Sequence, residues 1–301
     1  MLGESPSLVK LDLSSCLHIS HITPVLGIAT LCELNVLGCK NSRSAKQNFP
    51  RRPNPRSLSI GRADSSKNEK HVIKYPQGLP TLKLRHDDSR AIKPSFTERM
   101  QTLVELQRDA NKMRVILDRL FELPHLRVLS LRCPGPSSCE VFAEVRLRGV
   151  KLSLTRCRKP TDLRPLANVG SLEELDLSCF KLPGKGVIGS PPLLRHLGVS
   201  RCDVADESFS QIRESSTLES LDISNCKRIK DLSLIRKMGR FEKFSLVGCE
   251  NVWSGLECLL KLPPLRFAYT PDADPSSFIC SALQQKDVTL VNERFYYLEW
   301  P

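Results

Sequence analysis

The chain has 301 residues, 40% of them apolar, with 45 Lys plus Arg against 33 Asp plus Glu, a net charge of +12. That apolar share is enough to bury a core, which excludes wholesale disorder. No run approaches the roughly 20 apolar residues of a membrane span, and the opening MLGESPSLVKLDLSS lacks the regions of a secretory signal peptide.

Self-similarity begins at the N-terminus. Leu8-x-x-Leu11-x-Leu13-x-x-Cys16 returns one period on as Leu31-x-x-Leu34-x-Val36-x-x-Cys39. Residues two apart on a strand face one side, so Leu11 and Leu13 enter one core. The Cys position turns the chain out of the strand and points inward. The return segment reads Cys16-x-x-Ile19-x-x-Ile22, a three-residue spacing that suits a short helix or 3₁₀ turn. One such unit cannot bury its own apolar face, so neighbours must stack. Residues 1–39 therefore read as N-terminal repeats. No polar cap precedes Leu8, which points to a fragment or to a partner at that end.

Residues 40–76 differ in kind. Ser, Asn and Pro accumulate, and 10 Lys plus Arg against 2 Asp plus Glu give the stretch +8, leaving +4 for the rest of the chain. This composition predicts a disordered basic loop. Arg43, Lys46, Arg51, Arg52, Arg56 and Arg62 are its candidate contacts to nucleic acid or another acidic surface. Phe49 and Tyr75 are its only aromatics, a poor platform for base stacking.

Residues 77–125 carry two patterns. Frame starts at 55, 79 and 103 would continue the repeat, with Leu79-x-x-Leu82-x-Leu84 the best copy and Leu103-x-x-Leu106-x-Arg108 weaker. Over 96–123, however, Phe96, Met100, Leu103 and Leu106, then Met113, Ile116, Leu120 and Leu123, recur at three or four, as on amphipathic helices. The segment is read as degenerate repeats or a helical insert.

Residues 126–270 restore the frame. Its starts fall at Leu126, Gly149, Leu172, Leu194, Leu218, Phe241 and Leu265, in steps of 23, 23, 22, 24, 23 and 24. Residues 271–301 are expected to cap the C-terminus, with Val288 as a faint further start.

The cysteines follow the frame. Counting the first Leu as zero, Cys16, Cys39, Cys157, Cys202, Cys226 and Cys249 share offset 8, and Cys133 and Cys179 fall at offset 7 in copies read as shortened. With no Cys-x-x-Cys pair, these eight of twelve predict a ladder of buried thiols in a reducing compartment rather than a metal site or disulfide framework. An intracellular, cytoplasmic rather than nuclear, location follows.

Enzymatic motifs are absent or out of context. Gly184-x-Gly186-x-x-Gly189 matches a dinucleotide loop in spacing, but Ser190-Pro191-Pro192 follows where a helix would have to start. His18 and His21 lack a third ligand. Neither a Gly-x-Ser-x-Gly elbow nor a His-Glu-x-x-His motif occurs. No catalytic, cofactor or metal site is expected. The offset-2 and offset-4 side chains point instead to the concave side of the strands. Asp12, Asn35, Ser130, Lys151, Ser153, Glu174, Asp176, His196, Asp222, Lys243, Ser245 and Tyr269 are the candidate partner contacts.

The frame is that of the leucine-rich repeat, L-x-x-L-x-L-x-x-N/C. The stretches LVKLDLSSCLHISHITPVLGIATLCELNVLGC and LESLDISNCKRIKDLSLIRKMGRFEKFSLVGC resemble the leucine-rich repeat proteins of trypanosomatid parasites, over 8–39 and 126–270. Arg201–Phe209 is similar to the cysteine-containing repeats of F-box ubiquitin-ligase adaptors, although no F-box-like module precedes the repeats. The resemblance implies an α/β solenoid of about a dozen stacked repeats that is curved, with parallel strands on the concave face and short helical or irregular convex segments. It implies a non-enzymatic scaffold whose concave face holds a partner protein. A nucleic-acid or ribonucleoprotein factor using 40–76, or a recognition or regulatory subunit of an enzyme such as a ubiquitin ligase, are the alternatives. Oligomeric state is not legible.

Overall fold

The structure is a computed structural model and describes residues 7–19, 21–39, 55–61, 78–85, 100–109, 123–132, 149–155, 162–180, 188, 190–262, 265–269 and 278–291. The chain divides into two compact units, Met1–Pro134 and Gly135–Pro301.

In the first unit, six parallel strands pair in chain order: β1 (Lys10–Asp12), β2 (Glu33–Leu37), β3 (Ser57–Gly61), β4 (Thr81–Arg85), β5 (Glu105–Asp109) and β6 (Val128–Arg132). The register aligns the offset-3 leucines, Leu11, Leu34, Leu58, Leu82, Leu106 and Leu129. From Leu34 onward these residues are at most 3% exposed, while the alternate positions stay partly open to water. One sequence expectation changes here, and an open alternative is decided at 105–109. Residues 57–61 lie inside the basic 40–76 stretch, yet they form a strand, because Leu58 and Ile60 alternate into the core at 0% and 1% exposure. Residues 105–109 form a strand although their apolar spacing also suits a helix: pairing to β4 and β6 satisfies the backbone on both sides. Leu103 and Leu106 are consistent with either period, and tertiary pairing decides. The return segment described in this unit is a one-turn helix, Thr23–Leu26, with Pro24 in its first turn and Ile22 and Leu26 buried.

In the second unit, seven parallel strands pair in chain order: β7 (Val150–Thr155), β8 (Leu172–Asp176), β9 (His196–Gly198), β10 (Ser220–Asp222), β11 (Lys243–Ser245), β12 (Phe267–Tyr269) and β13 (Thr289–Val291). Leu152, Leu175, Leu197, Leu221, Phe244, Ala268 and Leu290 share the offset-3 row. Pairing of Leu290 with Ala268 puts the last frame start at Asp287, one residue before the expected Val288. Val288 is 4% exposed and fills the core from the neighbouring position. Between Val150 and Lys151 the register slips opposite Glu173, so Val150 packs where Gly149 offers no side chain. Returns are short: 3₁₀ turns at Arg164–Asn168, Asp206–Phe209, Ile212–Glu214 and Leu232–Ile235, and helices at Glu257–Leu260 and Phe278–Gln285. Phe241 and Phe244 pack with ring centroids 5.6 Å apart in a tilted pair.

In both units the chain leaves the strand by one device. The residue at offset 7 has left-handed backbone: Ser15 (φ 62°) and Gly38 (79°), then Cys179 (59°), Arg201 (57°), Asn225 (59°) and Gly248 (67°). Only Gly adopts this without cost, and Asn tolerates it well. The reversal keeps the inter-strand ladder running, since the Ser15, Cys179, Arg201 and Asn225 amides donate to the next repeat at 2.7–2.8 Å.

Candidate functional site

The offset-8 thiols come first because they fix the strands that carry the surface. Cys39, Cys202, Cys226 and Cys249 are buried and reduced. Each Sγ–H donates to the offset-5 carbonyl of the preceding repeat: Leu13, Leu177, Val199 and Ile223, at 2.9–3.0 Å. That carbonyl also accepts the offset-8 amide of its own repeat. One backbone oxygen thus closes the turn and ties two repeats. Burial pushes the Cys202 thiol up to about 12 and the Cys249 thiol up to about 11, and raises Cys226 as well. These groups are packing, with little thiolate character at neutral pH.

Two expected members of the ladder are not in it. Cys16 is exposed, because no earlier strand stacks on β1 among the described residues. Cys179 occupies the left-handed offset-7 turn and is only half-buried. Phe180 takes offset 8 there, 2% exposed, so that repeat is not shortened. Cys133 and Cys157 lie outside the described residues.

The open face of each sheet carries the candidate contacts in rows. In the first unit, Asp12, Asn35 and Ser130 stand at offset 4 of β1, β2 and β6. In the second, Ser153, Asp176, Asp222, Ser245 and Tyr269 hold offset 4, and Lys151, Glu174, His196 and Lys243 hold offset 2. The nine residues of the second unit thus share one sheet face. Of the six basic candidates, Arg56 is exposed just before β3, its amide donating to the Cys32 carbonyl at 2.8 Å. Arg43, Lys46, Arg51, Arg52 and Arg62 lie outside the described residues.

The three aspartates have a structural task that spacing did not reveal. Each lies two residues before a Ser whose amide donates to its Oδ1: Ser14 to Asp12 at 2.7 Å, Ser178 to Asp176 at 2.9 Å, Ser224 to Asp222 at 2.9 Å. These Asx turns lead into the left-handed residue. The signal was present in the recurring Asp-x-Ser of the sequence. The second carboxylate oxygens differ. Asp12 Oδ2 accepts from Asn35 Nδ2 at 3.0 Å, and Asp176 Oδ2 accepts from Ser153 Oγ at 3.2 Å. Among the described residues Asp222 Oδ2 has no hydrogen-bond donor. The Ser14 side chain and amide hold the Asp12 carboxyl below the usual range, whereas burial pushes the Asp222 carboxyl up.

Ion pairs cross between strands. Lys151 Nζ lies 2.6 Å from Glu174 Oε1, and Arg195 places Nε and a terminal nitrogen 2.9 and 2.8 Å from Glu219 Oε1. His196, between these pairs, is half-buried, and burial lowers its pKa against the opposing pull of Glu174 and Glu219. Ser220, beside it on β10, is 1% exposed, and among the described residues its Oγ has no hydrogen-bond partner. Among the described residues no group of three or more His, Cys, Asp or Glu is arranged to hold a metal ion. His18 and His21 are both exposed.

The Leucine Rich repeat family model matches residues 214–235, which run from the β10 frame into its return turn. The chain has the leucine-rich repeat solenoid fold. A 119-residue segment, 39% of this chain, is 37% identical to a Trypanosoma equiperdum protein that carries the name adenylate cyclase regulatory protein. That segment spans 19% of the relative's length. An internalin from Listeria monocytogenes superposes with a TM-score of 0.51 at 15% identity, covering 94% of this chain and 79% of its own. A leucine-rich repeat protein from Leptospira interrogans gives 0.51 at 14% identity, covering 96% and 97%. At such identity the two structures bear on the solenoid fold alone. No helix among the described residues of the solenoid is long and apolar enough to cross a membrane.

Proposed function

We propose that the solenoid is a non-enzymatic binding or scaffold protein that holds a partner protein on the open face of its sheet. The observation that carries this reading is the division of labour along each strand. The offset-3 residues are consumed by the core, while offsets 2 and 4 present mostly polar side chains in register from strand to strand, with Phe267 an apolar member and Ser220 and Ser245 buried. A parallel sheet normally needs both faces covered, and here one face is left to polar rows that a protein surface can complement. Fold alone names no partner. The name of the Trypanosoma relative favours an enzyme as the partner, which would make this chain a regulatory subunit. Reduced cysteines, nine of them among the described residues, suit an intracellular site of action.

The test is affinity purification from the native cell under reducing conditions, with the parent chain and a Lys243→Glu/Phe267→Ser variant in parallel. The expected result is a specific protein that the parent retains and the variant loses. Recovery of no specific protein, or equal recovery by both chains, would overturn the reading.

A further inference from the structure

We propose that the free edge of β1 is a self-recognition surface. A second copy of this chain pairs its own β1 against it, antiparallel, across a two-fold axis at Leu11, in a reversible dimer. This goes beyond the open-face reading and leaves that face uncovered.

Backbone geometry sets which groups are offered. The Val9 carbonyl accepts the Cys32 and Glu33 amides, and the Leu13 amide donates to the Asn35 carbonyl at 2.8 Å. Val9, Leu11 and Leu13 therefore spend backbone groups on β2. Those of Lys10 and Asp12 point to the other edge, where the described residues place no strand. An unpaired edge is a template for a further strand.

The core is open at the same end. Leu11 and Leu13 are half-buried, whereas Leu34, Val36, Leu58 and Ile60 at the same offsets are at most 1% exposed. Of the five exposed large apolar side chains among the described residues, two belong to this repeat, Val9 at 48% and Leu17 at 54%. At offset 9, where Leu17 stands, repeats of the second unit carry Asp203, Lys227 and Glu250. A solenoid end in water needs a polar surface, so apolar side chains here point to an occupant.

Charge selects the occupant and its register. In an antiparallel pair, residues whose backbone groups point at the other strand face one another as hydrogen-bonded pairs. With Leu11 opposite the partner's Leu11, Lys10 faces the partner's Asp12 and Asp12 faces the partner's Lys10, while Val9 meets the partner's Leu13 on the core face. Sliding the strands one pair either way sets Lys10 against Lys10 or Asp12 against Asp12, and like charges directly opposite are destabilising. Parallel stacking on β13 of another copy, in the frame of the solenoid, would set Asp12 against Val291 and leave its charge unmatched. The two-fold pair is isologous, so each complementary contact occurs twice. Within its own chain Lys10 Nζ lies 2.9 Å from Glu33 Oε1, and Asp12 Oδ2 accepts from Asn35 Nδ2. The Lys10 side chain is still 70% exposed in its pair, open to a second carboxylate.

The test is sedimentation of the full chain over a concentration series, beside Lys10→Glu, Asp12→Lys and an equimolar mixture of the two variants. The parent should show a monomer–dimer equilibrium. Each variant alone sets like charges opposite one another in both pairs and should dimerise at least about tenfold more weakly. In the mixture opposite charges face again in both pairs, and the dimer should return to the parent's level, which misfolding of either variant would not allow. A parent that stays monomeric, a dimer that both variants keep, or a mixture that associates no better than its components would overturn the proposal. Amide hydrogen exchange reads the same edge: the Lys10 and Asp12 amides should gain protection only as concentration rises. Protection that persists in dilute protein would also overturn it, because the chain itself would then cover the edge.

Discussion

Two offset-4 rows, one in each unit, each carry an aspartate and leave its second oxygen in different states. At β1 and β2 the row reads Asp12 then Asn35, and the Asn35 amide closes the free oxygen of Asp12 at 3.0 Å. At β9 and β10 it reads Gly198 then Asp222, and among the described residues the corresponding oxygen of Asp222 stays open. Both aspartates begin the same Asx turn with a Ser two residues on. The difference teaches that the Asp-x-Ser unit is scaffold, and that a donor on a neighbouring strand, Asn35 for Asp12 or Ser153 for Asp176, decides whether the second carboxylate oxygen is bonded.

The largest expected effect separates the units by stacking. Leu175→Asp places a carboxylate at a site 1% exposed between β7 and β9. It should cost more than about 4 kcal/mol and unfold the second unit. Leu11→Asp, at the same offset but half-buried on β1 with one paired neighbour, should cost under about 2 kcal/mol. Denaturant titration read by far-UV circular dichroism checks both, and equal losses would mean that stacking is not what buries the row.

A middle-sized effect concerns the thiols. Their pKa values are raised on folding, so their contribution is intact below about pH 9, the ordinary thiol value, and fades as pH rises towards the folded values of about 11 for Cys249 and about 12 for Cys202. Thermal melts of the parent should fall steadily between those limits. Exposed Cys16 should label with a thiol reagent at once, and Cys202, Cys226 and Cys249 only on unfolding. Immediate labelling of Cys226 would break the ladder.

The smallest effect is at the ion pairs. Arg195→Ala removes a two-nitrogen contact to a Glu219 that is only 20% exposed, and a double-mutant cycle should give about 0.5–1 kcal/mol. Lys10 and Glu33, at 70% and 52% exposure, should give less than half of that in the same cycle. Equal coupling at the two sites would show that burial of the acidic partner does not matter.

The repeat frame was legible because it is set by period alone. Leu175 and Leu177 can reach one core only if the chain is extended between them, and so short a period leaves room for little beyond a turn and a short return. The rows of the open face follow from the same alternation. Burial and partners do not. Cys16 and Cys226 carry the same offset, yet one is exposed and the other inside, because only stacking distinguishes them. Cys179 and Phe180 exchanged places against expectation because the left-handed turn comes one residue before the ladder position in these repeats. Around 105–109 the apolar spacing satisfied two periods, and the strands on either side selected one.

What the sequence by itself determined is the architecture: local alternation and a steady period leave stacked parallel strands as the way to bury those leucines. What only the tertiary structure decided is which polar groups remain unspent. The openness of Asp222 Oδ2 and the orphaned Ser220 hydroxyl depend on side chains a full repeat away in sequence and one strand away in space. Hydrogen bonds across the stack are pairwise and geometric, and no pattern along a single repeat encodes them.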